Sequence, residues 1–315
     1  MANAIALVTK YLALLDEQYK MGSFSAVLDT PPEFIQATRE ANKFKIAKIT
    51  TQGLANYNKQ TGFVAGDETL EWDEYTYPWD RGRSFQVDDM DDLESMGLAF
   101  GRLASNFNRM HVIPEIDAVR FSTYASKAGT KLDTAPTTAT ILEQFDAAQT
   151  QMFNDEVPQE GLLCFIRPSV MTMMQNSEKI SRFLDVSTMT GTVGGKTITT
   201  KVVSFNGMRF IKVPEKRFYD QVTLETTGAG GYKPTDTTAK FINYMIIHPS
   251  AVFQDKKHEI SRVWAPNRAK AAGTDGVNPN ANAWKFDYRL YHGAFAYSQK
   301  SKGIYLNASD LVSGG

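Results

Sequence analysis

The stretch from Glu71 to Arg120 constrains this chain most, because an acidic, aromatic segment runs straight into a regular amphipathic helix. In the helix, Leu93, Met96, Phe100, Leu103, Phe107 and Met110 recur at alternating spacings of three and four. That spacing draws one apolar stripe down a helix face. Before it, Glu71–Val87 mixes Trp72, Tyr75, Tyr77 and Trp79 with charges, in a segment too polar to be core. An aromatic, charged hairpin that its own chain cannot bury needs another surface to lie on. The pattern predicts a protein that assembles.

With 315 residues the chain has ample material for a core, as one large domain or two closely joined ones. A net charge of −1 argues against a dedicated nucleic-acid binder, which would carry a basic excess. The single cysteine, Cys164, lies in the apolar run Leu162–Ile166, which predicts a buried strand and rules out an intramolecular disulfide. No apolar run approaches the roughly 18 residues of a membrane span. Ile5, Val8, Leu12 and Leu15 fit an amphipathic helix at about 4–20, and Lys10 interrupts any signal peptide. A chain made and folded in a cytoplasm is expected.

Charge is unevenly distributed. Between Asp67 and Glu94 there are eleven acids against Arg81 and Arg83 alone; between Asp255 and Lys302 there are nine Lys and Arg against four acids. Such runs form two solvated faces of one monomer. Alternatively, the acidic hairpin of one subunit docks on the basic segment of a neighbour, where Lys285 and Arg289 lie, and opposite fields fix the register.

Short strands are expected at Pro32–Ala37 and Lys43–Ile49, with a loop tip at Thr51–Phe63 and a return strand from Thr69. Residues of about 45–88 then form a long excursion without helix. Asp91 and Asp92 cap the long helix, about 30 Å from Asp92 to Val112, and Pro114 predicts a bend. Helices follow over Thr137–Asp155 and Ser169–Gln175, flanking the strand Leu162–Arg167. After Gly191 the chain turns to β. Its clearest strand is Trp284–Leu290, where Trp284, Phe286, Tyr288 and Leu290 alternate with Lys285, Asp287 and Arg289.

No motif builds an enzyme. Gly191–Thr197 approaches a phosphate loop, but Thr190 stands where the first glycine is required and a strand follows Lys196, so a hairpin turn fits better. Asp88–Asp92 lacks the glycine and spacing of a calcium loop. His111, His248, His258 and His292 show no metal spacing. No catalytic residue, cofactor or metal is expected. Trp72, Tyr75, Tyr77 and Trp79, interleaved with acids, instead read as interface anchors with a charged rim.

The order of elements, and the segments Asp80–Asp92, Met96–Leu103, Val112–Ala118, Ile246–Val252 and Trp284–Phe295, resemble the major capsid proteins of tailed bacteriophages, a fold shared with encapsulin shells. The resemblance covers essentially the whole chain. It implies an α+β capsid fold with an N-terminal arm at 1–30 and an extended loop with flanking strands at 31–90. A spine helix of the peripheral domain would span 91–132, an axial domain 133–250, and strands returning to the peripheral domain 251–315. It also implies a coat protein that builds an icosahedral head from hexamers and pentamers around double-stranded DNA contacted non-specifically. Portal, decoration and separate scaffolding proteins would be partners, without a membrane, and the virion would be its location after assembly in the host cytoplasm. Trp72, Tyr75, Tyr77, Trp79, Arg81, Arg83, Lys285 and Arg289 are the expected inter-subunit contacts. Some members cross-link subunits through a loop lysine; Lys59 lies near the loop tip, but no partner or catalytic acid maps onto this sequence. The alternatives are an encapsulin-type nanocompartment and, more distantly, a nucleotide-binding enzyme using Lys196.

Overall fold

The computed structural model describes residues 22–29, 43–60, 62–89, 103–177, 184–193, 196–205, 207–235, 238–264 and 283–311. The helix expected at 4–20, the strand Pro32–Ala37 and the beginning of the long helix lie outside them. The strands are β1 (Lys43–Thr51), β2 (Glu68–Thr76), β3 (Trp79–Asp88), β4 (Thr130–Leu132), β5 (Leu163–Ile166), β6 (Leu184–Val193) and β7 (Lys196–Phe205). They continue as β8 (Met208–Lys212), β9 (Val222–Leu224), β10 (Tyr232–Pro234), β11 (Lys240–Ile247), β12 (Val252–Trp264), β13 (Ala283–Ala296) and β14 (Ile304–Leu311).

The main core surrounds a seven-stranded mixed sheet of order β4-β14-β11-β5-β8-β7-β6. Its centre needs apolar residues on both faces, which is why Leu162–Ile166 and Tyr244–Ile247 read as unbroken apolar runs. Cys164, Ile166, Tyr244 and Ile246 face one side, packed with Ile141, Phe145 and Met152 of the helix Ile141–Asn154 and Val170 and Met174 of the helix Pro168–Gln175. Leu163, Phe165, Met245 and Ile247 face the other, against Phe121, Tyr124 and Ala125 of the spine helix. Period-two alternation within a wholly apolar strand thus serves two layers.

The spine helix does not break at Pro114. It runs from Leu103–Phe107 through a π turn at Asn108–Val112 into Ile113–Lys127, with Pro114 in the first turn of that last segment. Proline lacks the N–H that an α-helix would use at this point. The π turn widens the helix just before it, and the Ile113 amide reaches back to the Asn108 carbonyl. The proline from which a bend is expected thus coincides with a local change of hydrogen-bond register. Leu103 and Phe107, at the end of the heptad-like stripe, pack on Phe85, Phe286, Tyr288 and Leu290. These belong to a second, three-stranded antiparallel sheet of order β12-β13-β3.

A polar hub joins these layers. Asp117 of the spine helix is fully buried. It accepts hydrogen bonds from Ser23 Oγ (2.7 Å), the Phe24 and Ser25 amides (3.1 Å each) and Ser25 Oγ (2.7 Å), and pairs with Arg217 at 3.0 Å. Arg120, one turn on, holds Ser25 Oγ at 3.1 Å and Asp29 at 3.0 Å. Gln254 of β12 donates to the Ser25 carbonyl at 2.7 Å and accepts from Tyr124 at 3.0 Å. The short segment 22–29 therefore ties the spine helix to β12 of the three-stranded sheet and to Arg217 in the turn after β8. Removing one member of a buried, hydrogen-bonded charge cluster strands the rest. Asp117→Ala should lower the unfolding free energy by about 3–5 kcal/mol, read as a fall in urea midpoint at unchanged slope.

Candidate assembly surface

The hairpin is rooted in an aromatic cluster. Phe44 stacks on Tyr75 (ring centroids 5.3 Å) and meets Phe253 and Phe295 at 5.1 and 5.0 Å. Tyr77 is buried among them and donates a hydrogen bond to Asp255, and burial pushes its hydroxyl pKa up. Gly293 is required here, because a Cβ would stand 2.3 Å from the Phe295 ring and 3.2 Å from that of Tyr77.

Beyond the root, β1 and β2 pair antiparallel with Lys45 opposite Glu74, Ala47 opposite Trp72 and Ile49 opposite Leu70. Directly paired residues share a face, and successive residues alternate. Phe44, Ile46, Asp73 and Tyr75 therefore point inward, and each is buried or half-buried. The outward face carries Ala47, Ile49, Leu70 and Trp72, all exposed, with Leu70 and Trp72 each at 58%. Among the described residues, seven of the eleven large apolar side chains left exposed belong to this hairpin and its tip: Ile49, Leu54, Tyr57, Phe63, Val64, Leu70 and Trp72. These seven are concentrated on one hairpin, whereas the other four are scattered over the chain.

The acids of the hairpin are largely matched within the chain. Lys43 and Lys45 approach Glu74 at 2.6 and 3.8 Å, and the Lys43 hydrogen bond holds the Glu74 carboxyl below its usual pKa. Lys48 reaches Glu71 at 4.0 Å. The acidic and basic runs do meet, but β3 and β13 of one chain bring them together: Arg289 Nε donates to Asp80 at 2.8 Å, while Lys285 pairs with Asp287 of its own strand at 3.3 Å. Exposed pairs of this kind add little stability and mainly fix register. Because β3 is a strand of its own sheet, the part that projects is 43–76, shorter than the 45–88 excursion expected from composition.

The eight expected contact residues thus divide. Trp72 lies open on the outward face, while Tyr75 is half-buried at the root and Tyr77 is buried there. Trp79 packs against His292, ring centroids 5.4 Å, and the main core. Burial pushes the His292 pKa down to about 3. Arg81 holds Glu115 at 2.8 Å and donates to the carbonyls of Glu225 (2.9 Å) and Gly231 (3.2 Å). Arg83 donates to the carbonyls of Gly228 and Ala229 at 2.6 and 2.7 Å. The two arginines pin the loop between β9 and β10 onto β3. Sequence reasoning missed Leu54, Tyr57, Phe63 and Val64, although four apolar residues in a Gly- and Asn-rich tip were a usable signal. Lys196 opens β7, paired antiparallel with β6, which is a hairpin and not the strand-to-helix setting of a phosphate loop. Because Arg81 is one of the two side chains that hold this loop, Arg81→Ala should cost about 2 kcal/mol and speed amide exchange across 225–231, measured by mass spectrometry.

No protein-family model and no curated protein sequence matches the chain. Its structure is similar to that of the bacteriophage PhiM1 mature capsid, with a TM-score of 0.64 at 10% identity, covering 96% of this chain and 91% of that one. It is likewise similar to the capsid structure of the cyanophage P-SCSP1u (TM-score 0.58, 14% identity, 95% and 92% covered). A structure from Mycobacterium phage Che8 aligns with a TM-score of 0.60 at 13% identity, over 95% and 96%. The α+β fold of this chain is the one seen in phage capsids.

Proposed function

We propose that this chain is the major capsid protein of a tailed phage, a coat subunit that assembles with its own copies into the icosahedral shell around a double-stranded DNA genome. The observation that carries the reading is the outward face of the hairpin: Ile49, Leu70 and Trp72 stand uncovered on a ribbon whose other face is already used. Covering Trp72 alone is worth about 2 kcal/mol at ordinary burial coefficients, and a shell repeats that gain at every subunit. The whole-chain likeness to the PhiM1 and P-SCSP1u capsids supports the same conclusion.

In this reading residues 1–30 are the arm, the hairpin lies across the adjacent subunit, and 133–250 form the axial domain. The spine helix and strands from 251 onward belong to the peripheral domain. Heterologous contacts close into hexamers and pentamers, and permanent interfaces of this type bury more than about 2,000 Å². A separate scaffolding protein, a portal, decoration proteins and the packaged DNA are the partners, the work is structural and not catalytic, and the virion is the location. The charge pairs of Arg81, Arg83, Lys285 and Arg289 act inside the subunit, so the contact passes mainly to Trp72 and its apolar neighbours.

The reading is tested by whether the purified protein sediments as a large, regular particle; a protein that stays monomeric under all assembly conditions contradicts it. DNA inside phage-derived particles, and not an enzyme cargo, separates a phage head from an encapsulin-type shell. Leu70→Ser with Trp72→Ala should leave the subunit folded, since neither side chain is buried. At about 2 kcal/mol per lost contact, the concentration needed for assembly should rise at least thirtyfold, seen by light scattering and electron microscopy.

A further inference from the structure

The tip of the hairpin is a built turn. Asn58 and Gly62 exchange backbone hydrogen bonds of 3.3 and 2.7 Å, and the Asn58 side chain accepts from the Gln60 amide at 2.8 Å. Gly62 sits at φ 82°, where a side chain would be strained. This clasp sets the Tyr57 and Phe63 rings against each other, centroids 4.9 Å apart, yet leaves them 60% and 90% exposed. The order of the turn lowers the entropy that binding would cost. What it presents is a preformed two-ring knob.

A cleft of about 330 Å³ opens where β3 leaves the hairpin root, between β3, the π turn and the loop 225–231. Its apolar lining comes from Phe107, Val112, Ile116, Tyr288 and Leu290. Its arginines are already committed, Arg81 to Glu115 and two carbonyls, Arg83 to two more. They offer a phosphate or carboxylate ligand little, and beside its apolar wall the cleft carries the polar groups of His111, Thr226 and Glu225, so it suits a guest with aromatic faces and a polar edge, such as a tyrosine–phenylalanine pair. An apolar cavity of roughly 150 Å³ holds one benzene ring, so this cleft has room for about two. Charge agrees with size: Lys59 is the only charged residue between Thr51 and Val64, and Glu225 on the cleft rim is 42% exposed and loosely paired with Lys233 at 3.7 Å. The knob cannot reach the cleft of its own chain, because nine-residue strands put about 30 Å between tip and root.

We infer that the Tyr57–Phe63 knob of one subunit seats in the cleft beside Arg81 of a second copy. The inference rests on the assembly reading above and adds to it the residues that meet. The contact is head-to-tail, so repetition around a ring closes it.

The test uses the full chain, whose only native thiol, Cys164, is buried. Gln60→Cys, at the tip beside the two rings, is combined with Thr226→Cys on the exposed rim, and particles are treated with a short thiol-to-thiol cross-linker. A ladder of covalent dimers and higher species, absent from either single variant, is the expected result. Particles that form normally but give no ladder overturn the inference and leave the assembly reading standing. A cross-link that keeps the monomer mass places the knob in its own cleft and also overturns it. If the double variant does not assemble, Lys59→Cys with His111→Cys asks the same question from another side, with the same two outcomes. Unmodified protein that never forms particles counts against the assembly reading itself.

Discussion

A two-stranded ribbon has two faces, and its own chain can cover only one of them. In this protein that face is the inner one, where Phe44 and Tyr75 seat the hairpin on Phe253 and Phe295. The other face keeps Ile49, Leu70 and Trp72 in water. An isolated ribbon is marginal in stability, so an exposed apolar face on it is hard to explain unless another surface covers it. The aromatic root fixes the direction in which that face projects.

Behind the hairpin the subunit is stiffened by a polar centre. Asp117 and Arg120 lie one turn apart on the spine helix and gather segment 22–29, Arg217 and, through Ser25, Gln254. These groups come from the helix, the N-terminal segment, the turn after β8 and the strand β12, so the arrangement sets how these elements are oriented. Buried charge is a poor source of net stability, but its geometry is demanding. Under the proposed role, a coat subunit that repeats many contacts at fixed angles benefits from that demand.

Much of this was legible in the residues. The alternation in Trp284–Leu290 gave a half-buried strand with Arg289 outward, and the unbroken apolar run around Cys164 gave a central strand. Pro114 marked where the helical hydrogen-bond pattern changes, while the π turn that accommodates it leaves no mark in composition. The complementary charge runs were visible, but sequence does not say whether opposite charges meet within a chain or between chains. Asp80 and Arg289 meet within one chain because β3 and β13 pair. The tip was hidden for a related reason. Asn58, Gln60 and Gly62 read as a loose loop, and only the turn they form brings Tyr57 onto Phe63.

The central claim is that the outward face of the hairpin is covered when subunits assemble. Hydroxyl-radical footprinting of the free subunit and of purified particles measures this at the side chains themselves. The account predicts that oxidation of Leu70 and Trp72 drops sharply on assembly, while Phe153, exposed elsewhere on the subunit, serves as an internal reference. Equal oxidation of Leu70 and Trp72 in free and assembled protein would contradict it.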